Sequence, residues 1–134
     1  MPLEAPNVGD ILLLKYMLNV SPVTEKVIHL YTNDVNTADK TITGGSITEA
    51  TQAGYAPITL AGSMWTLTNV ANIVTALYSE VDFSFTTGAS LYGYYITSTN
   101  GNGELCWIER FSGAPFTLPS GGGTIAISPK LILN

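Results

Sequence analysis

Two pairs of carboxylates, Glu104 with Glu109 and Glu80 with Asp82, are the residues whose types and spacing come nearest to an enzymatic site. Glycoside hydrolysis needs one carboxyl as acid and a second as base or nucleophile, held at a defined separation. The same residues at these positions also serve simply to solvate hairpin ends and outward strand faces. The single histidine, His29, sits inside VIHLY with no HxH or HxxxH partner and no Cys or Asp at ligand spacing. It reads as structural. Cys106 is the sole cysteine, so an intrachain disulfide is impossible, and its place between Leu105 and Trp107 reads as a small buried hydrophobe. Asn33, Asp34, Asn36 and Asp39 offer oxygen ligands, but without the EF-hand register or its closing glutamate. Gly44, Gly45 and Gly121 to Gly123 lack the lysine and helix that a phosphate cradle requires, and no nucleophile elbow is present. These observations predict no catalytic residue, no metal ligand and no cofactor.

The aromatic residues are more informative. Tyr92, Tyr94, Tyr95 and Trp107 cluster in residues 91–116, LYGYYITSTNGNGELCWIERFSGAPF, which reads as a β-hairpin. Side chains alternate along a strand, so Leu91, Gly93, Tyr95 and Thr97 face one way and Tyr92, Tyr94, Ile96 and Ser98 the other. On the return strand Leu105, Trp107, Glu109 and Phe111 oppose Glu104, Cys106, Ile108 and Arg110. Both faces carry apolar bulk, and a sandwich core absorbs only one of them. The other face is expected to meet the N-terminal helix, a loop or another subunit, and oligomerisation follows as an expectation. With residues 100–103 as the loop, Tyr95 lies beside Ile108 and Tyr94 beside Glu109; a loop of residues 99–103 instead sets Tyr95 against Trp107. Exposed rings of this kind stack on sugar faces, while in the alternative they anchor a protein interface. The interface candidates are Tyr92, Tyr94, Tyr95, Trp107, Ile108, Phe111 and Phe116.

Elements that would carry these residues follow from periodicity. Residues 1–22 form an N-terminal helical arm in which Asp10 lies near a helix start, Ile11, Leu14, Tyr16, Met17 and Leu18 supply apolar turns, and Pro22 closes the segment. Residues 27–34 read as a strand, followed by a polar loop over 33–45. Further short strands are expected near 46–50, 56–60, 64–68, 73–78, 81–86, 91–98, 104–111 and 124–133. VDFSF alternates with Val81, Phe83 and Phe85 inward, and Trp65 in MWTLT is a second large core candidate. These two strands are the firmest inward assignments. Pro129 marks the last strand as an edge, or kinked at that point, because proline cannot donate to a ladder. One helix and about eight strands predict an all-β fold, a jelly-roll-like antiparallel β-sandwich occupying residues 1–134 as a single domain.

Composition narrows the partners. Charged residues make up only 11% of the 134, the net charge is −5, and Lys15, Lys26, Lys40, Arg110 and Lys130 are scattered singly. Nucleic acid binding needs clustered cations and is not expected. The run from Ile11 to Leu14 is too short to span a bilayer, and no secretory leader pattern opens the sequence, so synthesis in a cytoplasm without export is expected.

The order of motifs, from GYAPITL with MWTLT through YGYYIT and WIERF followed by PF to the final SPKLIL, resembles small virion structural proteins of tailed bacteriophages, among them head decoration or cement proteins. The resemblance extends over most of the chain and is strongest over residues 54–133. It implies a non-enzymatic protein at the capsid surface of the virion, made in the host cytoplasm. Its implied partners are the major capsid protein and further copies of itself, as a homotrimer, and avidity would multiply modest contacts on a repetitive lattice. The alternative reading is a receptor-binding or carbohydrate-binding module on a tail or fibre.

Overall fold

The computed structural model describes residues 4–20, 22–99 and 103–133. The fold is mostly β, with one short helix and several antiparallel sheets. The strands are β1 (Lys26–Tyr31), β2 (Ile58–Leu60), β3 (Trp65–Val70), β4 (Ile73–Tyr78), β5 (Val81–Phe85), β6 (Ala89–Leu91), β7 (Gly93–Ser98), β8 (Leu105–Arg110), β9 (Phe116–Leu118), β10 (Gly123–Ile127) and β11 (Lys130–Leu133), and the helix is α1 (Asn7–Met17). Four antiparallel pairings are nested one inside the next: β7 with β8, β6 with β9, β5 with β10, and β4 with β11. The chain from β4 to β11 is therefore one long folded-over hairpin. Strands β2 and β1 extend the β7–β8 pair into a four-stranded sheet in the order β2-β1-β7-β8, and β3 joins β4 to give the order β11-β4-β3.

The helix ends earlier than Pro22 would require. Asn19 takes a left-handed φ of 56°, Val20 N–H donates to the Lys15 carbonyl at 2.8 Å, and Asn19 N–H donates to Tyr16 at 3.2 Å. This pairing is a Schellman close, which satisfies the last carbonyls and needs a residue tolerant of positive φ. Asp10 lies in the first turn as expected, where its charge favours the helix dipole.

Strand positions differ from expectation where turn chemistry outweighed the hydrophobic pattern. Residues 44–46 form a 3-10 turn, and residues 46–50 contribute only an isolated bridge between Tyr31 and Glu49. The long last run divides at Ser128 and Pro129 into β10 and β11, and β11 is an edge strand, in line with the proline argument. Strands β6 and β9 come from residues that the periodicity left short or unassigned.

VDFSF alternates as expected, with Phe83 and Phe85 buried and Asp82 and Ser84 exposed. The inward assignment of β3 is corrected: only Trp65 packs against the core, edge-on to Tyr78, and the rest of the strand is exposed. Antiparallel pairing alone fixes no depth, and this sheet extends past the core instead of covering it.

Two hydrophobic clusters lie on opposite faces of the β2-β1-β7-β8 sheet. One gathers Ile28, Leu30, Leu60, Phe83, Phe85, Leu91, Tyr94, Ile96, Leu118 and Ile127. The other gathers Tyr31, Val35, Ile42, Tyr95, Leu105 and Ile108, with Val8 and Ile47 against it. Every residue of β7 is buried as a result.

Candidate functional site

The hairpin register is the one with Tyr95 beside Ile108, Tyr94 beside Glu109 and Trp107 beside Ile96. Residues 100–102 of the expected loop lie outside the described residues. A bulge sets in between Ile96 and Thr97, whose partner is Leu105, and it changes the side-chain parity of β8. Leu105 therefore joins Ile108 in the second cluster, while Trp107 and Phe111 pack toward the first. The outgoing strand is likewise interrupted at Tyr92, so Leu91 joins Tyr94 and Ile96 and not Tyr95.

The second face of the hairpin is covered from within the chain. Helix α1 packs on β8 through Gly9 and Leu12, and a Cβ on Gly9 would sit 2.1 Å from the Cys106 carbonyl oxygen, so only glycine allows this approach. Val35 and Ile42 from the polar loop, with Ile47 just after it, close over Tyr95 and Ile108. Lys40 ties that loop to the helix start, its carbonyl accepting from Asn7 N–H at 2.9 Å. Of the coverings expected for this face, the N-terminal helix and a loop are the ones present, and they bury Tyr95 and Ile108 inside the monomer; Tyr94, an interface candidate on the opposite face, is buried in the first cluster. Tyr92, Trp107 and Phe111 are half-buried, with the Arg110 guanidinium 5.2 Å from the Tyr92 ring, and Phe116 alone of the candidates is exposed.

A polar clasp lies beside Tyr95. His29 Nδ1 is 2.8 Å from Glu49 Oε1 and its Nε2 is 2.9 Å from Thr97 Oγ1. Tyr55 O–H donates to the same Glu49 oxygen at 2.8 Å and accepts from Leu30 N–H at 3.1 Å. The imidazole stacks on Tyr95 at 4.7 Å and 11°. A hydroxyl, imidazole and carboxylate in this order are the parts of a nucleophilic relay. Here Thr97 is 5% exposed, and a Cβ on Gly103 would lie 2.7 Å from its side chain, so the hydroxyl is packed away from solvent. What the arrangement does is join β1, β7 and the 48–55 loop by hydrogen bonds. Burial raises the Tyr55 and Tyr95 hydroxyls well above the ordinary tyrosine range, and Glu49 adds to both shifts. Sequence reasoning placed His29 in a structural role but gave no hint of Glu49, Tyr55 or Thr97, which lie 20, 26 and 68 positions away.

The carboxylate pairs do not converge. Glu104 lines a groove of about 350 Å³ with Val8, Ile11 and Lys15 of the helix. Glu109 lines another of about 540 Å³ with Tyr94, Phe111, Lys130 and Ile132, and it accepts a hydrogen bond from Tyr94 O–H. Glu80 and Asp82 are both exposed. In the polar loop the oxygens are engaged internally: Asn33 Oδ1 accepts from Thr48 N–H at 2.8 Å, Asp34 pairs with Arg110, and Asp39 accepts from Thr41 twice. Those bonds hold the Asp39 carboxyl below its usual range. Among the described residues no group of three or more His, Cys, Asp or Glu could hold a metal ion, and no helix is long and apolar enough to cross a membrane. Cys106 is buried, and burial pushes its thiol up to about 11.

Apolar side chains accumulate instead on two surfaces. Helix α1 and the segment after it expose Ile11, Leu13, Leu14, Met17, Leu18 and Val20. The β11-β4-β3 sheet exposes Leu67, Val70, Ile73, Val74, Leu77, Ile132 and Leu133, with Leu67 and Val70 more than 70% accessible. Monomeric proteins rarely leave contiguous apolar area of this kind in water, and such patches mark contact with other molecules. Comparison with protein-family models, curated proteins and solved structures found no match to this chain.

Proposed function

We propose that this chain is a non-enzymatic structural component of a tailed-phage virion, a capsid decoration or cement protein that stabilises the shell by binding between major capsid proteins as a homotrimer. The observation that carries the reading is the pair of exposed apolar surfaces, on α1 and on the β11-β4-β3 sheet, in a chain with only 11% charged residues. A subunit that works by assembly needs such surfaces, and grouped exposed aliphatic side chains mark sites of contact with other molecules. The motif order described above supplies the phage context.

A jelly-roll arrangement belongs to the same reading, and the four nested antiparallel pairs from β4 to β11 support it, because a jelly roll is a long hairpin rolled into two sheets. Ladders joining β10 to β7 and β11 to β6 would complete those sheets; among the described residues β7 pairs instead with β1 on that side. The protein is made in the host cytoplasm and resides on the capsid surface. The alternative of a carbohydrate-binding tail or fibre module loses two of its stacking rings, since Tyr94 and Tyr95 are buried.

By binding the assembled shell and not its separated subunits, the protein stabilises the assembled state by mass action. Purified protein added to shells that lack it is expected to bind at saturable sites and raise their resistance to heat. No binding and an unchanged disruption temperature would end the proposal.

A further inference from the structure

Beyond its base, the β11-β4-β3 sheet extends from the body of the protein with large side chains exposed on both faces. Opposed residues in an antiparallel pair point the same way, so the register assigns Leu67, Val74, Leu131 and Leu133 to one face. Val70, Ile73, Leu77 and Ile132 fall on the other. Its base is anchored by Trp65 against Tyr78, and its far end is a two-residue turn in which Ala71 and Asn72 both take left-handed φ, 52° and 64°. That is the primed turn that matches the twist of a hairpin. From this geometry we infer that the three-stranded arm is the surface through which copies of this chain associate, arm against arm. The inference rests on the assembly reading and names the surface responsible for self-contact.

Three observations select a second copy as the occupant. First, each face of the arm keeps three or four large aliphatic side chains exposed, Leu67, Val74 and Leu133 on one and Val70, Ile73, Leu77 and Ile132 on the other, and an identical arm offers the same apolar contact in return. Second, Lys130 is the only charged residue in β3, β4 and β11. Two molecules each carrying a net charge of −5 repel over most of their surfaces and approach most easily where charge is missing. The aliphatic, nearly uncharged composition matches permanent contacts between identical subunits better than contacts made and broken.

Third, β3 and β11 are both edge strands of this sheet, and β3 carries no charge, no proline and no bulge along its six residues. Proteins that remain monomeric blunt such edges. An edge left plain, beside apolar faces, is suited to continue into a neighbour's sheet.

The test uses the full chain without shells. Sedimentation analysis at tens of micromolar is expected to give a multiple of 14.2 kDa. The Leu67→Lys/Leu133→Lys double variant should sediment as a monomer, while Leu14→Lys/Met17→Lys on the helix should keep the wild-type mass. A gentler probe, Leu67→Cys with a short bismaleimide, should give cross-linked oligomers where Leu14→Cys gives none, so the assignment stays testable even if the lysines disturb folding. A monomeric wild type, or dissociation by the helix variant and not the arm variant, would overturn the inference. Self-association without shell binding would refute the decoration role and leave the arm assignment standing; shell binding by a monomer would do the reverse.

Discussion

Glu49 accepts hydrogen bonds from both His29 and Tyr55 through one oxygen, so removing its side chain strands two donors on half-buried side chains. Leaving a fully buried donor unsatisfied costs about 1–3 kcal/mol, and partial access to water lowers that cost. Glu49→Ala is therefore expected to lower stability by about 2 kcal/mol, seen as a lower urea midpoint with an unchanged slope, whereas Glu49→Gln, which keeps an acceptor, should lose less. Equal losses for the two variants would show that packing and not hydrogen bonding accounts for the effect. At this scale the sequence was partly legible. His29 in mid-strand without ligand spacing pointed to a structural imidazole, but its partners are distant in the chain and could be found only after β1, β7 and the 48–55 loop came together.

At the scale of elements, Gly9 shows how one residue fixes a helix on a sheet. A methyl group there would overlap the Cys106 carbonyl, backbone that cannot move aside cheaply. Gly9→Ala is expected to cost about 1–3 kcal/mol, the range for overpacking a close contact. In hydrogen exchange, the amides of α1 should lose protection while those of β1 and β7 keep theirs. Uniform loss across the sheet would mean that helix docking is not separable from the core. The strands β4, β5, β7 and β8 were readable from alternation and turn residues. Strands β6 and β9, three residues each, were not, because so short a run has no period to detect. The bulge in β8 also escaped the pattern, and it moved Leu105 to the face opposite the one its parity predicted.

For the whole molecule, four tyrosines, Tyr31, Tyr55, Tyr94 and Tyr95, share hydroxyls raised far above their ordinary value, in each case chiefly by burial. In the unfolded chain they ionise near pH 10. Between that value and their folded range the native state holds protons that the unfolded state has released, so stability falls as pH rises. Below pH 10 their contribution is fully present; above it the protein should lose stability steeply. Tyrosinate absorbance should rise together with the loss of circular dichroism, and ionisation of all four while the fold persisted would contradict the burial described here.

Composition and periodicity determined that this is a β-rich chain with a short apolar helix, a weakly charged surface and an unusually apolar hairpin, since these depend on residue type and local order alone. Only the tertiary structure decided which apolar faces stay open. The hairpin, apolar on both sides in sequence, is covered by α1 and by Val35 and Ile42 of the same chain. The arm formed by β3, β4 and β11, of which the sequence marks β3 as inward, projects with Leu67, Val70 and Leu133 in water. Alternation fixes how side chains are divided between two faces. What lies against each face depends on chain segments far apart in sequence, and no local pattern records that.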